Sequence, residues 1–274
     1  MLDAYADLAT LAVTQQGSVL TVALNRPSRL NAANAAMIGD LRRLFRLLPE
    51  DASAAAVLLT GAGRGFSAGG DIRDMAAGDA AHASGASAGA TRIANLLAES
   101  KDLITAMLDV PQPIVAAVHG YAIGLGATLA LCADVVIAAQ DAVLSDPHVS
   151  MGLVAGDGGA VIWPLLLPIN TAKYYLMTGD PITGADAARL GLVLKAVPAT
   201  DLAAEAQAVA GRLAAGPPLA VRWTKSVLNK ILRDRLSLLL DASLALEGAS
   251  MLSADHAEAV AAFSEGRPPV FKGK

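Results

Sequence analysis

Cysteine occurs once in these 274 residues, at position 132, which excludes an internal disulfide and favours a reducing compartment. In the apolar run Ala130-Leu131-Cys132-Ala133 the lone thiol reads as a buried filler rather than a nucleophile. Aromatic residues make up only 4% of the chain, so alanine must fill much of the core, which suits helices and close backbone packing. No apolar run reaches the ~20 residues needed to cross a bilayer. The opening Met1-Leu2-Asp3-Ala4-Tyr5-Ala6-Asp7 has acids where a secretory leader needs basic residues. Charged residues are scarce at 17%, and the net charge of −4 comes from interspersed signs, which leaves no footprint for nucleic acid or membrane. A cytoplasmic location is expected.

Hydrophobic residues, at 54%, are plentiful enough for a large core, in one domain or a domain with an appendage. Val19–Leu24 reads as a strand closed by Asn25-Arg26-Pro27. Met37, Leu41, Leu44 and Leu48 then share one helical face. Ala56–Thr60, Ile114–Val118 and Val135–Ile137 are short continuous apolar runs, the mark of buried parallel strands. From Ala76 to Ala90 the composition collapses to small and polar residues and predicts a mobile loop. A helix follows from Ile93 to Leu108, stopped by Pro111 and Pro113. Thr183-Gly184-Ala185-Asp186 resembles a capping box opening a helix that Gly191 ends before a strand at Val193–Val197. After Pro198 only helices are expected, over Leu202–Leu213, Leu219–Leu232, Leu236–Met251 and Ala254–Phe263. The division is therefore residues 1–197 as an α/β core and 198–274 as a helical region.

Two glycine-rich turns have the look of site loops. Gly65-Phe66-Ser67-Ala68-Gly69 formally matches the nucleophile elbow of serine hydrolases, but Gly61–Arg64 separate it from its strand. An esterase acting through Ser67 is thus a competing reading. Gly124-Leu125-Gly126 follows strand Ile114–Val118, yet Leu129 stands where a dinucleotide fingerprint wants its third glycine. Two such turns can together present unobstructed backbone N–H groups, and a converging pair makes an oxyanion hole. That chemistry suits a thioester carbonyl becoming an enolate.

Leu24-Asn25-Arg26-Pro27 with Leu30-Asn31-Ala32, then Leu59-Thr60-Gly61, Phe66-Ser67-Ala68-Gly69-Gly70-Asp71 and Pro113–Ala122 follow one another in the order of a known family. Thr178-Gly179, Ala187-Ala188, Leu190–Val193, Phe263 and Phe271 extend the series. From about Val13 to Phe271 the chain resembles the crotonase (enoyl-CoA hydratase/isomerase) superfamily. The resemblance implies a ββα spiral core with a helical C-terminal region that builds trimers, often paired into hexamers. It implies an acyl-CoA substrate, no separate cofactor and no metal. Gly70 and Leu125 would supply the oxyanion N–H groups. Ala68, Asp71 and Ile72 would line the coenzyme A channel, Arg29 and Arg26 would face its phosphates, and Phe263 would reach a neighbouring subunit's ligand.

The departures from that pattern concern the chemistry. Hydratases of the family carry two glutamates, and at those positions stand Thr128 and, in Asp146-Pro147-His148, a histidine. A threonine hydroxyl is no general base near neutral pH, whereas an imidazole titrates there. Asp157, in Gly156-Asp157-Gly158-Gly159, is either a partner for that imidazole or the N-cap of a helix at Ala160–Leu167. Enoyl-CoA hydratase is the expected label. A His148/Asp157 pair equally suits isomerisation or thioester hydrolysis, and loss of both glutamates leaves a non-catalytic coenzyme A-binding protein open. His119, His82 and His256 are not favoured as site residues.

Overall fold

The computed structural model describes residues 2–71 and 86–274. Ile72, His82 and most of the stretch read as a loop lie outside the described residues. The last five residues of that stretch do not form a loop. They open a helix at Ala86, where alanines at 86, 88 and 90 outweigh the low complexity.

The chain begins with a hairpin the sequence did not announce. β1 (Leu11–Gln16) pairs antiparallel with β2 (Val19–Leu24) through Gly17-Ser18, and Gly17 supplies the positive φ of 59° that so short a connection needs. α1 (Ala35–Leu47) follows, capped by the Asn34 side chain on Met37 N–H. β3 (Ala56–Gly61), α2 (Ala86–Asp109) and β4 (Ile114–Val118) come next. Two ββα turns follow. β4 leads to β5 (Tyr121–Ile123) and α3 (Leu125–Leu131), and β6 (Val135–Ala139) leads to β7 (Val143–Ser145) and α4 (Gly159–Leu166). α5 (Ile169–Thr178), β8 (Ile182–Thr183), α6 (Gly184–Leu190) and β9 (Lys195–Val197) complete the strand-bearing part. Thr183 does cap α6, accepting from Asp186 N–H at 3.1 Å.

Among the described residues the strands form two sheets. One has the order β1-β2-β3-β4-β6-β9, parallel from β2 onward, and the other has the order β5-β7-β8. Each of the two turns thus lays one strand in each sheet before its helix, which is the spiral that the resemblance implies. The fully buried β4 reads as a continuous apolar run because both its faces are covered.

α7 (Leu202–Ala214), α8 (Pro218–Ser250) and α9 (Ala254–Glu265) end the chain. α8 is a single helix where the sequence suggested two. Nothing in Arg233-Asp234-Arg235 breaks it, and its 33 residues span about 50 Å. Leu236, Leu240 and Leu244 of α8 belong to the same hydrophobic core as β3, β4 and β6. Polar contacts fix its height. Lys225 Nζ, itself buried, meets Asp134 at 2.7 Å and the Gln112 carbonyl at 2.8 Å. Asn229 donates to the Leu108 carbonyl at 3.0 Å, and Ser243 donates to the Gly156 carbonyl at 3.0 Å. No single helix among the described residues is long and apolar enough to cross a membrane.

Removing a buried ammonium leaves its carboxylate partner poorly paired. Lys225→Ala should therefore lower the unfolding free energy by about 3 kcal/mol in urea titration. Lys225→Met combined with Asp134→Asn should regain at least half of that. A Lys225→Ala protein within about 1 kcal/mol of the parent, on the ordinary scale of surface changes, would remove this anchor from the account.

Candidate active site

The first feature is a pair of free backbone donors. Segment 67–70 runs beside β5 as an isolated parallel bridge, with Ser67 opposite Ala122. Ser67 N–H donates to the Tyr121 carbonyl at 2.8 Å and Ile123 N–H to the Ser67 carbonyl at 3.0 Å. Past that bridge the two segments stay close: a Cβ on Gly69 would lie 2.6 Å from the Ile123 carbonyl oxygen and 3.8 Å from Gly124 Cα, and Gly69 and Gly124 are the residues just before Gly70 and Leu125. Leu125 is the first residue of α3, so its N–H has no intrahelical acceptor. Neither it nor Gly70 N–H meets a protein acceptor among the described residues. Gly124, at φ 50° and ψ −121°, makes the abrupt entry to α3, in a region of backbone space that favours glycine.

The second feature is a largely buried histidine between two carboxylates. β7 ends at Ser145, and Asp146 and Pro147 lead into a single 3-10 turn, His148–Met151. This places Asp146 and His148 two residues apart with their side chains converging, so Nδ1 of His148 bonds Asp146 Oδ1. The opposite ring nitrogen, Nε2, faces Asp157 Oδ2 at 3.5 Å. Asp157 does not cap α4. Gly158 holds the N-cap position without a side-chain bond, and the Asp157 carboxylate turns inward to accept from Thr128 Oγ1 at 3.4 Å.

Asp157 sits among glycines because its loop is squeezed from two sides. At Gly158, φ is 115° and a Cβ would lie 2.6 Å from Thr128 Cγ2 on α3. At Gly156 a Cβ would lie 2.7 Å from the Ser243 carbonyl oxygen and 2.5 Å from Glu247 Cβ on α8. Only a glycine loop brings α3 and α8 this close to one carboxylate.

That approach brings in a residue absent from the sequence-based candidates. Glu247, buried on α8, sets Oε1 3.8 Å from His148 Nε2, while its Oε2 has no partner. Its signal was present in the sequence. Leu236, Leu240 and Leu244 form a helical stripe, and Glu247 continues it, a charge on an apolar face. Asp146 stood out in the sequence only as a neighbour of His148, yet it is buried and holds the ring.

The charges follow from this packing. Burial alone would push the His148 pKa down, but the Asp157 and Asp146 carboxylates more than reverse it and hold the imidazole protonated well above its ordinary range. Burial raises Glu247, Asp157 and Asp146 add to the rise, and His148 partly opposes it, leaving the carboxyl pushed up to about 8. Cys132 is buried, and burial together with Asp157 pushes its thiol up to about 12, as suits an inert filler. Asp146, His148 and Asp157 also offer atoms of metal-ligand type within 4.8 Å of one another. With Nδ1 engaged by Asp146 and Nε2 facing Asp157, the protonated ring has no lone pair to offer a cation, and the cluster is a proton-handling group.

The remaining expected site residues fall into two places. Loop 26–33 runs along segment 67–71, with Ala68 N–H donating to the Leu30 carbonyl at 2.9 Å and Asp71 N–H to the Ala33 carbonyl at 3.0 Å. Exposed Arg29 therefore shares a neighbourhood with Ala68 and Asp71, whereas Arg26 is committed to Asp71 at 3.1 Å. Phe263 lies apart from them on α9, 59% exposed. Ser67 is not poised as a nucleophile. It is 1% exposed, its hydroxyl donates to the Asn31 carbonyl at 2.8 Å, and residues 68–71, which follow it directly, are not helical. His119 contacts the Gly63 carbonyl at 3.1 Å and His256 the Met151 carbonyl at 2.7 Å, both outside the cluster.

A family model described as enoyl-CoA hydratase/isomerase matches residues 14–274. Among relatives, a probable enoyl-CoA hydratase of Rhodobacter capsulatus is 37% identical over 253 residues, 92% of this chain and 94% of the relative. The 1,2-epoxyphenylacetyl-CoA isomerase of Escherichia coli is 33% identical over 256 residues, 93% of this chain and 95% of the relative. A crystal structure of an enoyl-CoA hydratase/isomerase from Mycobacterium paratuberculosis superposes with a TM-score of 0.84 at 37% identity, covering 92% of this chain and 97% of that one.

Both raised groups make stability fall as pH rises. The Glu247 contribution is present below about 4.5 and is lost as pH climbs to about 8. The His148 contribution is present below 6.5 and is lost on passing through its elevated folded value. The melting temperature should therefore drop between about pH 6 and 9 more steeply in the parent than in His148→Gln/Glu247→Gln. Parallel curves for the two proteins would refute the assigned protonation.

Proposed function

The chain belongs to the enoyl-CoA hydratase/isomerase family, and from that membership we propose that it shifts a double bond in an unsaturated acyl-CoA thioester through an enolate. The observation that carries this reading is the placement of His148 between two buried carboxylates, Nδ1 on Asp146 and Nε2 3.5 Å from Asp157, an arrangement that favours the charged ring. Such a pair holds one base and one acid side by side, which is what moving a proton along an acyl chain requires.

The thioester oxygen is taken to accept from Gly70 and Leu125 N–H. Asp157 removes a proton from Cα of a 3-enoyl thioester, and the C–H electron pair flows into the carbonyl. Two fixed donors stabilise the resulting oxyanion. The electrons return through the conjugated system, and Cγ takes the His148 proton. The proton on Asp157 then passes to His148 across 3.5 Å, and no atom is gained or lost.

Hydration fits less well. Thr128 and His148 stand where the family resemblance puts two glutamates. The hydroxyl is turned toward Asp157 and the imidazole enters already charged, so neither takes a proton from water and Asp157 is left as the one base where hydratases have two carboxylates. The same charge disfavours thioester hydrolysis, in which the imidazole would have to act as a base. Relatives carry both hydratase and isomerase names, which agrees with a shared enolate and divergent proton handling. Arg29, Ala68, Asp71 and Ile72 are the residues proposed to meet coenzyme A. The exposed apolar face of α8, with Trp223, Ile231 and Leu238, is proposed as the assembly face of a trimer or dimer of trimers.

A panel of 3-enoyl, 2-enoyl and saturated CoA thioesters separates these outcomes. Absorbance of the conjugated product should grow from the 3-enoyl thioester, with crotonyl-CoA hydration about 10²-fold slower or worse. Rapid hydration or CoA release without isomerisation would overturn the reading.

Within that assay Asp157→Asn should lower kcat by about 10²–10⁴-fold with CoA affinity nearly unchanged. Gly70→Pro removes one N–H and should cost about 10²–10³-fold, while Leu125→Ala keeps its amide and should be far milder. Equal losses in the last two variants would remove the oxyanion assignment.

A further inference from the structure

Three buried carboxylates surround one imidazole here, and only two of them have an obvious task. Asp146 holds Nδ1 and Asp157 faces Nε2. Glu247 comes from α8, distant in sequence, and stands 3.8 Å from the same Nε2 with Oε2 unpartnered. No cation of the described residues other than His148 balances the three acids where they meet, and Lys225, the buried lysine of the same helix, is spent on Asp134. Like charges packed this closely in a dry setting cannot all ionise. We propose that Glu247 is a positioning residue that holds a proton, so that Asp157 alone faces Nε2 of His148 as a carboxylate.

The consequence concerns His148 as an acid. While Glu247 is neutral, one negative charge opposes the Nε2 proton and the ring can give it up. Once Glu247 ionises, a second charge beside Nε2 binds that proton more tightly, and the ring becomes a poorer donor. The groups facing Glu247 are His148 from the turn after β7, Asp157 from the glycine loop and, more remotely, Asp146. The two aspartates press toward the neutral form, and the imidazolium opposes it. With burial added, a carboxylic acid with a value near 8 is the expected result.

This inference deepens the isomerase reading, but its first test does not need turnover. Infrared difference spectra of the parent against Glu247→Gln at about pH 7 should show the C=O band of a protonated, buried carboxylic acid. The band should vanish in the parent by about pH 9.5. Absence of the band at neutral pH would overturn the proposal whatever the protein catalyses. If the glutamine variant does not fold, the difference between neutral and alkaline spectra of the parent alone answers the same question. The second test is the pH profile. Isomerase kcat of the parent should fall about tenfold or more between about pH 7 and 9.5, and that of Glu247→Gln less than about threefold, whatever its absolute rate. Matching profiles would also overturn the role. A band without any thioester turnover would remove the isomerase reading and leave Glu247 as the proton holder.

Discussion

Desolvating an imidazole favours its neutral form, and the surroundings of His148 work against that preference from both ring nitrogens. Asp146 takes Nδ1, while Asp157 approaches Nε2. Burial normally makes a histidine a base awaiting a proton. Here two fixed carboxylates make it an acid that already has one. The proposed direction of proton transfer, the preference for isomerisation over hydrolysis in that proposal and the expected pH dependence of stability all follow from that reversal.

The fold exists around this site as a set of close approaches. Two turns of the spiral meet there. The turn through β5 and α3 brings the Leu125 amide and Thr128, and the turn through β7 and α4 brings Asp146, His148 and Asp157. The glycine loop 156–159 lets α3 and α8 press on the carboxylate from either side. Lys225, Asn229 and Ser243 hold α8 at the height that delivers Glu247. A helix that slid by one turn, about 5.4 Å, would withdraw that carboxyl from the cluster altogether.

Much of this was legible in the residues. The apolar runs at Ala56–Thr60 and Ile114–Val118 mark buried strands, and the structure has strands there. His148 and Asp157 stood out as titratable groups, the histidine at a position where a glutamate was expected, and they do meet. The rest was hidden for physical reasons. β5 and β7 have three residues each, too few for a period to register, and β8 has two. The apolar pattern divides α8 into Leu219–Leu232 and Leu236–Met251 because three charged residues, Arg233-Asp234-Arg235, interrupt it, although none of them resists a helix. Whether Asp157 caps a helix or faces inward depends on how tightly α3 and α8 pack, which is tertiary information. Glu247 lies far along the chain from its partners, and nothing local ties it to them.

The charge on His148 can be read directly. The protein can be labelled with ¹⁵N-histidine and its imidazole nitrogens followed by NMR from about pH 5.5 to 9, with His148→Gln assigning the resonance. Both ring nitrogens of His148 should carry protons at about pH 7.5, where an unperturbed histidine is mostly neutral. A single protonated nitrogen at that pH, with titration at or below 6.5, would contradict it. Burial would then have prevailed over the carboxylates, and His148 would be a base after all.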